Sequence, residues 1–178
     1  MEEKSRSTTV QGMYFGAITG IAIIIFSLLL YVADLHMNRS VTWISYLFLL
    51  GGMIWGTLDY RKKYLNGFMS YGKAFSTTFM IGLFAGILGS IYIFVFAQFI
   101  HPGFIQEIME QSREQIVNSN PNLSEEQVEQ ALAISSKFTS PVMMMIWGVV
   151  MYAIFSAILG LIAAIFLKKE DKSLTTPM

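Results

Sequence analysis

Apolar residues fall in four long blocks, at about 13–33, 41–58, 74–100 and 141–167. Crossing a hydrocarbon core of about 30 Å takes about 20 apolar residues at 1.5 Å each. The first block carries no charge before Asp34, and the second is shorter, closed by Asp59 and the run Arg61-Lys62-Lys63. The third contains Ser76, Thr77 and Thr78, whose hydroxyls can bond back to carbonyls of the preceding turn. The fourth opens at Pro141 and stops at Lys168-Lys169; proline suits a first helical turn, where its missing N–H costs nothing. Backbone groups in lipid must be satisfied within their own segment, so the blocks are expected to be helices. The expected class is all-α: one polytopic membrane domain, 1–178, with four transmembrane helices. The start mixes acids with bases and no small-residue cleavage site follows, so the first helix is expected to remain as an anchor.

The pattern changes over 101–140. Pro102-Gly103 should break the third helix at the membrane edge. Phe104, Ile105, Ile108, Met109 and Ile116 then recur at helical spacing opposite Glu107, Glu110 and Glu114. After Asn118-Ser-Asn-Pro-Asn122, Ser124 with Gln127 three residues on has capping-box spacing. The segment is expected to form an extracytoplasmic helical hairpin between helices three and four.

Every block also places small residues four apart. Gly16 and Gly20 lie in the first, Gly52 and Gly56 in the second, Gly82 and Gly86 in the third, Gly160 in the fourth. Lipid tails are as apolar as leucine, so helices associate there through close van der Waals contact, which small residues permit. These seven glycines are expected to pack a four-helix bundle.

Composition and charge narrow the function. Of 178 residues 54% are hydrophobic and 13% charged, and 12 basic residues cancel 12 acidic ones. An ordinary soluble domain carries about twice that charged fraction, and nothing draws the chain towards nucleic acid. With no cysteine there is no thiolate metal site and no thiol nucleophile. An even number of spans would put Lys4, Arg6, Arg61, Lys62, Lys63, Lys73, Lys168, Lys169 and Lys172 on one side, and Arg39, Arg113 and Lys137 on the other. Cytoplasmic loops collect Lys and Arg, so both termini and the 59–73 loop are expected in the cytoplasm, with 101–140 outside.

No Asp, Glu, Lys, Arg or His interrupts the four apolar cores, so the usual mark of proton relays and ion-coupled carriers is missing. His36 and His101 fall at the outer edge without a metal-ligand spacing. Met143, Met144 and Met145 point about 100° apart on a helix and cannot converge on one ion. No catalytic residue, cofactor or metal is expected.

One stretch is more particular. Between the second and third blocks, Arg61, Lys62, Lys63 and Lys73 alternate with aromatics including Phe68 and Tyr71, and Gly67 and Gly72 bracket a turn. Arg61, Lys62, Lys63, Gly67, Phe68, Tyr71, Gly72 and Lys73 are candidate contacts for a cytoplasmic partner or for anionic lipid head groups. They also have the ordinary composition of a positive, aromatic membrane edge.

GFMSYG after the second block, the insert with its SEEQVEQAL, and Ser140-Pro141 before the last block resemble a bacterial integral membrane family labelled domain of unknown function 4199. The resemblance runs from about Val10 to Lys169. It implies a small inner-membrane protein with the insert in the periplasm, and it supplies no catalytic or binding residue. The expected function is a non-enzymatic accessory or scaffold subunit; the alternative is a channel or small-solute transporter subunit formed by oligomerisation. The expected partners are the lipid bilayer and either further copies of the chain or another membrane protein.

Overall fold

The computed structural model describes residues 6–169; Lys4 and Lys172 lie outside the described residues. All regular structure there is helical: α1 Thr8–Val32, α2 Arg39–Thr42, α3 Ile44–Tyr64, α4 Tyr71–Val95, a π-helical turn Phe96–Ile100, α5 Phe104–Ser119, α6 Glu125–Phe138 and α7 Pro141–Leu167. Four helical stretches, Thr8–Val32, Ser40–Tyr64, Tyr71–Ile100 and Pro141–Leu167, are long and apolar enough to cross a membrane. The chain divides into two compact units, one comprising residues up to 89 together with those from 149 on, the other residues 90–148.

In the first unit α1 starts at Ser7, whose hydroxyl accepts the Val10 amide, as an N-cap does. It ends where Asp34 takes φ 56°. The Leu35 amide then reaches the Leu30 carbonyl at 2.8 Å and the Asp34 amide the Tyr31 carbonyl at 3.0 Å. This Schellman closure answers carbonyls the helix would leave open, and aspartate is among the few side chains that tolerate the left-handed region.

Small residues line the helix contacts. A methyl on Gly12 would stand 2.5 Å from Met80 Cβ, one on Gly16 2.6 Å from Phe84 Cβ, and one on Gly20 3.1 Å from Leu88 Cβ. Carbon atoms rest about 3.5–4.0 Å apart, so α1 and α4 touch almost backbone to backbone. On α3, Gly52 abuts the Thr19 side chain, and a methyl on Gly56 would meet Ile81 at 2.6 Å and Phe15 at 2.7 Å. Helix α4 meets α7 through Gly82 against Ser156 and Gly86 against Tyr152, while Gly160 faces Thr78 and Phe75. Between them Phe15, Ile23, Leu49, Met53, Ile81 and Ala85 form the core. Thr77 and Thr78 are buried and donate to Lys73 and Ala74 carbonyls one turn back, at 2.8 and 2.9 Å.

The second unit is built differently. The helix of its first residues widens into the π-turn and ends at His101, whose φ of −135° is extended. A residue before proline is pushed from the helical region, so Pro102 ends the helix, and the widening begins a turn ahead of it. Phe96 is buried against Phe104, ring centroids 5.1 Å apart, and His101 Nε2 lies 2.8 Å from Glu107 Oε1. Ser124 and Gln127 complete a capping box at the start of α6. Helices α5 and α6 are in contact; Arg113 pairs with Glu125 at 2.7 Å, and Thr139 lies 3.6 Å from Met109 Sδ. Val128 is the buried residue of α6.

Candidate functional site

The charged run after the apolar part of α3 stays helical. Asp59 and Lys63 pair at 2.6 Å, the i,i+4 spacing that supports a helix. Arg61, Lys62 and Lys63 thus form the last turn of α3, where cations oppose the negative end of the helix dipole. Beyond Leu65, Asn66 and Gly67 take φ 49° and 85°, and the Phe68 amide donates to the Leu65 carbonyl at 2.9 Å. Two successive left-handed residues are what an Asn-Gly turn supplies. The non-helical connection is therefore 65–70. Gly67 makes the turn; Gly72 sits in the first turn of α4 with open space around it.

Long-range bonds fix this connection. Arg61 Nη1 donates to the Leu167 carbonyl at 2.7 Å, answering a carbonyl that the end of α7 leaves without a helical partner. Met69 and Lys169 exchange amide–carbonyl bonds of 2.8 Å in an antiparallel bridge. The Tyr71 hydroxyl donates to the Leu161 carbonyl at 3.2 Å. The start of α1 joins the same end: Tyr60 donates to the Arg6 carbonyl at 2.6 Å, and Gln11 Nε2 donates to the Gly56 carbonyl at 2.8 Å. The Arg6 guanidinium lies 5.0 Å from the Tyr14 ring centre and donates to the Tyr64 hydroxyl at 3.3 Å. Beneath these bonds Tyr60, Met69, Ala74, Ala163, Ala164 and Leu167 form a second apolar cluster.

Of the eight residues marked by the sequence, Lys62, Lys63, Phe68, Tyr71, Gly72 and Lys73 are exposed, while Arg61 and Gly67 are half-buried. The Lys73 ammonium lies 5.8 Å from the Tyr60 ring centre and that of Lys169 5.6 Å from the Phe68 ring centre, within reach of cation–π attraction. Arg6, Arg61, Lys62, Lys63, Lys73, Lys168 and Lys169 are gathered here with Asp59 as the carboxylate among the described residues of this end. The exposed ammonium groups offer positive charge and N–H donors at this end, and Phe68 and Tyr71 offer ring faces. Tyr60 belonged to the aromatics that alternate with the basic run, whereas nothing in the sequence marked Gln11 or Leu167 as parts of this end.

A family model described as a protein of unknown function (DUF4199) matches residues 14–169, which take in the whole 59–73 stretch. No curated protein and no solved structure matches the chain.

Proposed function

The chain belongs to the DUF4199 family, and from that premise we propose that it is a non-enzymatic accessory or scaffold subunit of a bacterial inner membrane. In this reading four helices cross the bilayer, both termini and the 59–73 surface face the cytoplasm, and α5 with α6 form a hairpin outside. The excess of Lys and Arg at the end formed by α3, α4 and α7 supports the orientation. One observation carries the function: the 65–70 connection is bonded to the ends of α3 and α7, so Phe68, Tyr71 and the neighbouring lysines are exposed on a fixed support. A surface ordered before its partner arrives loses less conformational freedom on binding.

The test places a photoreactive residue at Phe68 of the full chain in native membranes. A discrete protein adduct that disappears when Lys62, Lys63 and Lys73 become glutamine supports the docking reading. Only lipid adducts, as expected from the same label at the 79% exposed Phe166, would overturn it.

The second reading, an oligomeric channel or transporter subunit, is favoured by Gln11, Thr57 and Ser156: each is buried, and the side-chain oxygen of each has no partner among the described residues. Solute flux in proteoliposomes that falls on Thr57→Val would select it over docking.

A further inference from the structure

Helices α3 and α7 both run towards the end held by Arg61 and Leu167, and a groove of about 300 Å³ opens between them. Leu50 and Ile54 of α3 and Leu159, Ile162 and Phe166 of α7 line it, with Leu167 at the end nearest the basic surface. Spaced three and four apart, these residues make a stripe along each helix axis. From Leu159 to Leu167 the groove covers about 12 Å at 1.5 Å per residue, against about 15 Å for one half of a 30 Å hydrocarbon core. Ile162 is 52% exposed, so the groove is open at the side. Its lining is hydrocarbon throughout, so whatever enters it is apolar.

Charge decides what that apolar group is attached to. Arg61 lies seven residues after Ile54 and eleven after Leu50, within about 20° of the same stripe at 100° per residue. Its Nη1 holds the carbonyl of Leu167. Its Nε is buried with no acceptor among the described residues, and the Asp59 carboxylate pairs with Lys63. A guanidinium carries five N–H donors in a planar fork, and this one has no ion-pair partner among the described residues. It stands where the apolar run of α7 ends at Lys168, the level at which lipid phosphates meet a spanning helix. A lipid without a phosphate would fill the groove and leave the charge unanswered, a zwitterionic phospholipid would bring its own cation beside the basic residues, and a free phosphate would leave the groove empty.

We propose that the groove between α3 and α7 holds an acyl chain of one anionic phospholipid whose phosphate is bound by Arg61. Guanidinium and phosphate match as a bidentate, charge-assisted pair, and basic pockets between spans are a known form of lipid recognition. The site shares Arg61 with the docking surface and adds the groove to it; Phe68 and Tyr71 take no part.

The test is native mass spectrometry of the full chain, released from detergent containing equal amounts of phosphatidylglycerol and phosphatidylcholine. The phosphatidylglycerol adduct is expected to exceed the phosphatidylcholine adduct at least tenfold. Arg61→Gln should bring that ratio near unity. Should this variant fail to fold, Arg61→Lys keeps the charge without the fork and should lower the ratio at least threefold. Ile162→Trp, on the exposed wall, should lower phosphatidylglycerol retention at least fivefold, and a hundredfold excess of glycerol phosphate should leave the lipid bound. Equal retention of both lipids, an unchanged ratio in the Arg61 variants, displacement by glycerol phosphate, or a second copy of the chain occupying the groove would each overturn the proposal.

Discussion

At Gly86 of α4 the Tyr152 side chain fills the space a methyl group would need, whereas at Ser124 the start of α6 is held by a hydroxyl and a glutamine amide at the exposed surface. The four long helices and the α5–α6 pair meet different demands. The long helices are apolar on most sides, so an apolar stripe cannot tell them which faces to join. Steric fit is the expected means, and glycines such as Gly82 and Gly86 lie against close neighbours. Helices α5 and α6 have a polar face to hydrate and an apolar face to cover, and their ends are fixed by local hydrogen bonds and an ion pair. Substitutions that add volume should therefore be severe in the first region, and those that remove polar groups should be mild in the second.

The largest effect is expected for Gly86→Leu. Its side chain would have to displace Tyr152, and the loss should reach about 3 kcal/mol, the upper end of the usual cost of overpacking. Folded, monodisperse yield in detergent should fall sharply; unchanged yield and thermal midpoint would show that α4 and α7 do not meet as described. Next comes a comparison of neighbours on α3. Gly52→Ala pushes a methyl into Thr19, while Gly51→Ala enters open space. The first should cost about 1–3 kcal/mol, and the second should gain up to about 1 kcal/mol from helix propensity. Equal midpoint shifts for the two variants would break the distinction between a packed and an unpacked glycine.

In the second region Ser124→Ala removes the capping box. The expected cost is about 1 kcal/mol, read as faster hydrogen exchange at the Gln127 and Val128 amides with little change in the global midpoint. A large drop in that midpoint would mean that α6 supports far more than itself. Smallest is Arg113→Gln, which removes an exposed ion pair with Glu125. It should cost less than about 1 kcal/mol, and the difference from the parent chain should shrink as salt is raised.

These contrasts follow what the sequence makes visible. The four long helices were legible because uninterrupted apolar runs have one stable backbone form in lipid, and the start of α6 because Ser124 and Gln127 carry a local hydrogen-bond pattern. The helical state of 59–64 was not, since a charged run after an apolar block reads as a loop. The Asp59–Lys63 pair that keeps it helical matters only once the turn exists. Pro102 announced a break, but local sequence did not announce the π-turn Phe96–Ile100 that precedes it. At the candidate site the cations and aromatics were plain, and their fixation was hidden. Arg61 meets Leu167 across 106 positions and Tyr60 meets Arg6 across 54, and local sequence holds no record of which helix ends are neighbours. Spacing likewise singled out the glycines without naming Tyr152, Ser156 or Thr19 as the side chains they face.

The proposed topology, in which the chain crosses a bilayer with residues 59–73 in the cytoplasm and 101–140 outside, can be tested most directly. The chain has no native cysteine, so one introduced thiol can be labelled without background, and Lys62 and Asn120 are both exposed. An impermeant maleimide applied to intact cells, with any outer membrane made permeable, should label Asn120→Cys and should reach Lys62→Cys only after the inner membrane is opened. Labelling of both positions from the same side would contradict the account.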